Sequence, residues 1–284
     1  MIMKECEFAH TKTKGERASC MKKAVIGLLL PLLVMLLGGS SSAIMEANDT
    51  EHFIQHSGLE AAIIVSSLKT GEEHVINKER SEQRFLPAST FKIPNTLIAL
   101  HEGVINDENT VLPWDGKEKG LAAWNKNQTL TSAFQVSCIW YYQELARKIG
   151  LVKYAEHLGK LVYGNCQTGA FIDTFWLDGD LRISAREQID FLKNIYLETY
   201  DFDKAHYNIL KDIMVEDTTD AYTLRGKTGW TQRVSPQTGW YVGYVETASD
   251  VWFFACNLTI TKPSDADCRK SLVMSYLREL KIME

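Results

Sequence analysis

Apolar residues along this chain recur with two different spacings, which predict strands near both ends and helices between them. The apolar run Ala61–Leu68, a turn through Lys69–Glu72 and then His74–Ile76 indicate a strand hairpin. Helical spacing dominates from Ser89 to about Asp217, with helices predicted at Ser137–Gly150, Val152–Gly159, Ala185–Tyr200 and Lys204–Val215. Strands return at Tyr222–Lys227, Gly239–Val245 and Val251–Ile260, with turns at Gln237–Gly239 and Thr247–Asp250, and a last helix covers Asp265–Leu280.

This order of elements predicts an α/β fold of the α+β kind. A mainly antiparallel sheet is built from both chain ends, about 50–88 and 218–284, and is flanked by helices. An inserted all-helical lobe covers about 89–217. The cleft between two such lobes is the expected ligand site.

Charge and composition narrow the class of protein. The 284 residues are 45% hydrophobic and 24% charged, which is typical of a soluble globular chain with a sizeable core. The formal net charge of −5 comes without a concentrated Lys/Arg face, so we predict no nucleic-acid partner. The seven histidines are scattered, and we predict no metal site.

The segment 1–43 is predicted to be an N-terminal extension and a signal peptide, ahead of a catalytic domain over 44–284. Met21-Lys22-Lys23 precedes the apolar run Ala24–Leu37, and small residues follow through Ser40–Ala43. Met21 is the expected start, with cleavage after Ala43 or Ala47. We therefore expect a secreted or periplasmic protein with no stable membrane association after cleavage; a retained anchor is the alternative.

Three Ser-x-x-Lys patterns occur, at Ser19/Lys22, Ser66/Lys69 and Ser89/Lys92. The first lies at the targeting segment. The second closes a predicted strand, where residues three apart point to opposite faces. Only Ser89 and Lys92 lie on a predicted helix, whose spacing puts a weak nucleophile beside a potential base. The alternative is an ordinary helix with a surface lysine.

Lys-Thr-Gly occurs twice, and only the second copy suits an anionic ligand. The first, Lys69–Gly71, lies in a hairpin turn before two glutamates. The second begins with Lys227 and Thr228 and continues through Trp230 to Arg233, which adds a cation able to bind a carboxylate with two hydrogen bonds. Ser137 is predicted to open a helix, where an isolated serine is most often a cap.

Ser-x-x-Lys, Ser-x-hydrophobic and Lys-Thr-Gly, in this order, resemble the penicillin-recognising serine enzymes. Within them the chain resembles a class D (OXA-type) serine β-lactamase from about Gly58 to the C-terminus, with a β-lactamase/transpeptidase-like fold. The matching segments are Ser89–Lys92, Tyr163–Asn165, Phe175–Leu177, Lys227–Gly229 and Gly239–Gly243. Ile139 departs from the pattern, because family members usually carry valine there, and Trp140 and Tyr141 are also atypical.

The resemblance implies hydrolysis of the β-lactam ring through an acyl-enzyme on Ser89, and hence antibiotic resistance. No cofactor is expected; instead Lys92 is carboxylated by CO2 and serves as general base, because the separate glutamate base motif of class A is missing. Carboxylation requires a neutral amine, hence an apolar pocket that depresses the lysine pKa. The candidates for this pocket are Phe91, Val136, Ile139, Phe175, Trp176 and Leu177, with the Trp176 indole N–H available to hold the carbamate.

The resemblance also assigns the remaining roles. The backbone N–H groups of Ser89 and Trp230 form the oxyanion hole, and Ser137, aided by Lys227, passes a proton to the lactam nitrogen. Thr228 and Arg233 bind the substrate carboxylate, while Tyr163 and Asn165 shape the loop beneath the site. Trp230 and Ile139 are the other two predicted substrate-binding residues, and Ile139 lies beside the lysine pocket.

Two alternatives from other classes are a β-lactam sensor domain, which stays acylated, and a DD-peptidase. Repeated turnover distinguishes the enzyme from the sensor. The sequence leaves open a homodimer, the preferred β-lactams, which depend on loops 113–125 and 230–238, and any pairing of Cys138, Cys166, Cys256 and Cys268.

Overall fold

A computed structural model describes residues 49–283. The α-helices are α1 Asp49–Ser57, α2 Lys78–Ser81, α3 Lys92–His101, α4 Leu130–Gln135, α5 Ile139–Ile149, α6 Leu151–Leu161, α7 Ala185–Tyr196, α8 Lys204–Ile213 and α9 Asp265–Glu279. The strands are β1 Ala61–Ser67, β2 Glu73–Ile76, β3 Val215–Thr218, β4 Tyr222–Trp230, β5 Gln237–Thr247 and β6 Val251–Ile260. Two short 3₁₀ helices cover Ala88–Phe91 and Ala122–Trp124.

The strands form one six-stranded antiparallel sheet in the order β2-β1-β6-β5-β4-β3. β1 from the N-terminal part pairs with β6 from the C-terminal part, so that Ile63 lies opposite Cys256. This pairing confirms the predicted sheet built from both chain ends. β3 joins β4 at the edge, with a bulge between Val215 and Asp217.

Both faces of the sheet are covered, because side chains along a strand alternate between faces. On β5, Trp240, Val242 and Tyr244 enter the core shared with the helical segment. Tyr241 and Val245 enter a second core with α9 and Ile54 of α1. The near-continuous burial of β1, β5 and β6 follows from this two-sided covering.

Most predicted elements are present, and the differences have local causes. β6 has the predicted bounds, whereas the predicted turn Gln237–Gly239 is wrong, because these residues form the start of β5 and pair with β6. α1, α2, α4 and β3 were not predicted. The predicted lobe boundaries at 88 and 218 stay a prediction. The helix α7 belongs to the predicted helical lobe by sequence, and in the structure it packs against β6 and β1 of the sheet.

The predicted extension and signal peptide, residues 1–43, lie outside the described residues. No helix within residues 49–283 is long and apolar enough to cross a membrane. Cys138, Cys166, Cys256 and Cys268 form no disulfide in this part of the chain.

Candidate active site

Ser89 lies on the 3₁₀ helix Ala88–Phe91, one turn before α3 begins at Lys92. The preceding residue, Ala88, has φ 48°, a left-handed conformation that is unfavourable for a residue with a Cβ. Its N–H donates to the carbonyl of Trp176 at 2.9 Å, and Thr90 Oγ1 donates to the carbonyl of Pro87 at 2.8 Å. These bonds hold the serine at the start of the helix, as predicted.

The Lys92 side chain is buried beside the serine, with 1% of the residue exposed. Its Nζ donates a hydrogen bond to Ser89 Oγ at 3.0 Å and lies 5.0 Å from the ring centroid of Tyr142. Burial, together with the charge of Lys227, lowers the pKa of Lys92 well below its ordinary value, although Cys138 opposes this shift. The amine therefore favours its neutral form.

The aromatic residues predicted for this pocket pack against one another in one core. The Phe91 ring lies 5.4 Å from Trp176, stacked, and 5.1 Å from Phe175, edge to face. Leu177 is also buried, whereas Val136 and Ile139 pack partly buried against the same core. Within residues 49–283 the indole N–H of Trp176 forms no hydrogen bond to a protein acceptor. The core formed by these rings is thus apolar, and the Trp176 indole N–H is a donor within it.

Ser137 and Lys227 meet across the site. The Lys227 Nζ donates to Ser137 Oγ at 2.5 Å and to the carbonyl of Thr228 at 3.1 Å. Burial lowers the pKa of Lys227 to about 7, against the opposing effect of Glu216 and with a further decrease from Arg269. This lysine therefore changes charge near neutral pH.

The prediction that Ser137 opens a helix is wrong. α5 begins at Ile139 with Cys138 as the residue before it, and Ser137 lies in the α4–α5 connection with φ 53°. A left-handed serine turns its side chain out of the helical direction, toward Lys227. Only the tertiary structure shows this strained conformation.

The glycine of Lys227-Thr228-Gly229 allows β4 to approach the serine segment closely. A Cβ at Gly229 would lie 3.0 Å from the carbonyl oxygen of Pro87 and 3.2 Å from Cγ2 of Thr90. Glycine is the residue that permits such an approach. Through this contact the strand that carries Lys227 is placed against the helix turn that carries Ser89.

Two arginines lie near this strand, and they have different surroundings. Arg233 forms an ion pair with Asp178, at 3.2 Å, and both side chains are partly exposed. Arg269, on α9, donates to the carbonyl of Gly229 at 2.7 Å, and its guanidinium lies 5.8 Å from the Trp230 ring centroid. Arg269 was not predicted, because it follows Gly229 by 40 residues and no local motif marks it.

Trp140, whose role the sequence left open, is part of a brace. Its indole N–H donates to the carbonyl of Trp124 at 2.9 Å, and the Trp124 indole N–H donates to the carbonyl of Val136 at 2.9 Å. The loop 113–125 is thereby fixed to the turn before Ser137.

Asn165 similarly fixes the loop beneath the site, donating to Asp180 O at 2.8 Å and accepting from Arg182 N at 2.9 Å.

Other residues around the lysines were also missed. Tyr142 lies beside Lys92, Phe134 lies beside Lys227, and Cys138 is close enough to Lys92 to affect its pKa. Gln188 Nε2 donates a hydrogen bond to Thr90 Oγ1 at 2.9 Å. Burial raises the pKa of the Cys138 thiol, so it contributes as a neutral neighbour. Apart from helical periodicity, no sequence signal marked these positions.

Comparisons with known proteins agree with this site. Residues 61–274 match the penicillin binding protein transpeptidase domain. The β-lactamase OXA-48 of Klebsiella pneumoniae is 38% identical over 232 residues, 82% of this chain and 87% of that protein. OXA-5 of Pseudomonas aeruginosa is 41% identical over 199 residues, 69% of this chain and 74% of that protein. The crystal structure of a class D β-lactamase from Nostoc has a TM-score of 0.80 at 37% identity, covering 83% of this chain and 98% of that one.

A serine–lysine pair at a helix start, a second serine and a Lys-Thr-Gly strand across from it define a penicillin-recognising serine enzyme. The chain belongs to this penicillin-binding transpeptidase family. Within the family it is a class D serine β-lactamase, which confirms the resemblance.

Proposed function

We propose that this chain hydrolyses the β-lactam ring of penicillin-type antibiotics through an acyl-enzyme on Ser89, and so confers antibiotic resistance. The observation that carries the proposal is the buried Lys92 Nζ, 3.0 Å from Ser89 Oγ, with a strongly lowered pKa. A neutral amine at this distance is in reach of the serine proton. The class D relatives support the same reaction.

Acylation begins when Ser89 Oγ gives up its proton to the base on Lys92 and attacks the lactam carbonyl carbon. The carbonyl oxygen becomes an oxyanion, and we assign its two donors to the backbone N–H groups of Ser89 and Trp230. Removing one such donor typically lowers the rate by about 10²–10³-fold. The ring C–N bond then breaks and leaves the acyl group on Ser89.

The departing lactam nitrogen needs a proton, which Ser137 is placed to give. Its hydroxyl passes the proton to nitrogen and is reprotonated by the Lys227 Nζ at 2.5 Å. A pKa of about 7 allows Lys227 to donate and to recover its proton near neutral pH.

The pocket around Lys92 fits carboxylation of the amine by CO2. Its amine favours the neutral form that the modification requires, and the Trp176 indole N–H has no other protein acceptor among residues 49–283. A carbamate on Lys92, when formed, supplies the general base for acylation and deacylation. Trp176 would hold it, and Ile139 and Leu177 would limit access of water.

Substrate carboxylate binding is assigned to the Lys-Thr-Gly strand. Thr228 is partly exposed, and Arg269 lies behind the same strand, bonded to the carbonyl of Gly229. We therefore add Arg269 to the predicted pair Thr228 and Arg233, since the Arg233 guanidinium is already paired with Asp178. Arg269→Ala is expected to raise KM more than Arg233→Ala.

We also propose export to the periplasm or the exterior, which is where a β-lactam is met before it reaches its target. N-terminal sequencing of exported protein tests this. A sequence that begins near residue 44 or 48 supports it, and one that begins at Met1 contradicts it.

Turnover of a penicillin, with and without bicarbonate, tests the main proposal. We expect repeated hydrolysis, faster with bicarbonate and slower after incubation at low pH without CO2. Lys92→Ala should accumulate acyl-enzyme on Ser89, seen as added mass. A single acylation per molecule of the unaltered protein would favour a sensor, and cleavage of D-Ala-D-Ala peptides without β-lactam turnover would favour a DD-peptidase.

A further inference from the structure

At the far end of α3 from Lys92, two histidines and a glutamate come together outside the active site. His101 is the last residue of α3, Glu102 follows it, and His157 reaches them from α6. One donor atom from each residue lies within 4.8 Å of the other two. A helix of ten residues is about 15 Å long, so this cluster is far from the reacting serine.

The side chains are held in place by their neighbours. His157 Nε2 and Glu102 Oε1 are hydrogen-bonded at 2.7 Å, and His157 is 4% exposed. The Phe202 ring lies 5.3 Å from the ring of His101 and 6.0 Å from the ring of His157. The cluster is therefore held together by a hydrogen bond that a bound ion would have to replace, and His101 is its most exposed member.

Charges of both signs surround the cluster. Glu102 contributes a carboxylate, whose Oε1 is hydrogen-bonded to His157. His101 and Glu102 lie at the C-terminal end of α3, where the helix dipole is negative. One competing cation is present, because Lys153 Nζ lies 3.6 Å from Glu102 Oε2.

A cavity of about 250 Å³ opens beside the two histidines. Its lining also includes Asp201 and Lys160, so both signs of charge face it. The cavity has room for the water that completes a coordination sphere.

We propose that His101, Glu102 and His157 bind a divalent transition-metal ion such as Zn²⁺. Two imidazoles and one carboxylate are ligands that suit this class of ion, with water in the open position. A tetrahedral ion with ligands about 2.0–2.2 Å away holds them roughly 3.3–3.6 Å apart, so His157 Nε2 and Glu102 Oε1 exchange their hydrogen bond for the ion and the exposed His101 turns toward it. The bound ion ties the end of α3 to α6, and this proposal differs from the sequence prediction of no metal site.

A second pair of histidines must be separated from this site in any test. His52 and His56, four residues apart on α1, have stacked rings with centroids at 4.0 Å. The sequence analysis overlooked this His-x-x-x-His spacing. The pair offers only two donors and therefore serves as the matched control.

The test uses the chelator-treated chain without a histidine tag. Co²⁺ is titrated into it and its binding is followed by visible absorption, and Zn²⁺ is then added to displace the bound Co²⁺. We expect one saturable equivalent in the unaltered chain and at least about tenfold weaker binding in His101→Ala, with β-lactam hydrolysis unchanged in the metal-free variant. His56→Ala should bind like the unaltered chain. Unaltered binding by His101→Ala, loss of binding in His56→Ala, or no saturable absorption in the unaltered chain would each overturn the proposal.

Discussion

Two lysines, Lys92 and Lys227, are almost fully buried, with 1% and 4% of each residue exposed. Burial disfavours the charged form of an amine, and neither lysine is hydrogen-bonded to a carboxylate. The folded chain therefore keeps two groups that oppose its stability. What they provide is chemistry near neutral pH: an amine that can be neutral beside Ser89 and one that titrates beside Ser137.

Replacing Lys92 by methionine should therefore stabilise the protein and abolish turnover. Methionine has similar length and no charge to desolvate, so we expect the free energy of unfolding at pH 7 to rise by about 1–3 kcal/mol. Urea unfolding in CO2-free buffer measures this. Lys148→Met, on the exposed face of α5, is the control and should change stability little. Equal effects of the two variants would contradict the burial argument.

The same reasoning gives a pH dependence of stability for Lys227. The unfolded lysine holds its proton up to a pKa of 10.5, whereas the folded one loses it at about 7. Between these values the unfolded state binds more protons, so this lysine's destabilising effect decreases as pH rises through that window. Stability of the unaltered chain relative to Lys227→Met should increase from pH 7 toward 10. A difference that does not vary with pH would contradict the lowered pKa.

At the scale of elements, the fit between β4 and the 3₁₀ helix that carries Ser89 depends on Gly229. A methyl group there would press on Pro87 O and Thr90 Cγ2, at 3.0 and 3.2 Å, and displace Lys227 from Ser137 or Ser89 from its position. We expect Gly229→Ala to lower kcat/KM roughly tenfold or more. Gly159→Ala, in α6 with no atom within 4 Å of its Cβ, is the control and should leave kcat/KM unchanged.

The Trp124–Trp140 brace gives a second prediction at this scale. Trp140→Phe removes an indole donor and leaves the carbonyl of Trp124 without it, which should lower the free energy of unfolding by about 1 kcal/mol and raise the KM for penicillins. Tyr207→Phe removes a similar bond, from its hydroxyl to the carbonyl of Tyr200, on α8 and outside loop 113–125, and is the control. Equal KM values in the two variants would show that the brace does not shape the site.

The elements that could be predicted are those whose periodicity or spacing is local. β6 has continuous apolar residues between clear turns, and its bounds agree with the prediction. Gln237–Gly239 looked like a turn, but it pairs with β6, and a Cβ at Gly239 would lie 2.9 Å from Ile260 Cδ1. Glycine there reflects close packing across the sheet rather than a turn. β3, exposed along its whole length, carries no burial pattern to find.

At the scale of the whole molecule, the site is assembled from distant segments. Ser137 and Lys227 are 90 residues apart in sequence and 2.5 Å apart in space. The order of motifs could be read from the sequence, but this contact depends on the left-handed Ser137 and on the strand order that places β4 beside the 3₁₀ helix. Arg269 was missed for the same reason, since it reaches Gly229 from the last helix.

The stability of the whole described region should be independent of thiol oxidation state. No disulfide joins Cys138, Cys166 and Cys256 to one another within residues 49–283, and packing on both faces of the sheet stabilises the fold instead. Losing a native disulfide typically costs about 2–5 kcal/mol, which would lower the unfolding midpoint on reduction. Because this fold contains no such link, a reductant should leave the midpoint unchanged. Thermal unfolding of the exported chain with and without dithiothreitol measures this, and mass analysis after alkylation under denaturing conditions counts the reactive thiols. A midpoint that falls on reduction, together with alkylation of fewer than four cysteines, would show that oxidation adds a link absent from this fold. Because Cys138 lies beside Lys92, such a link would also be expected to change turnover.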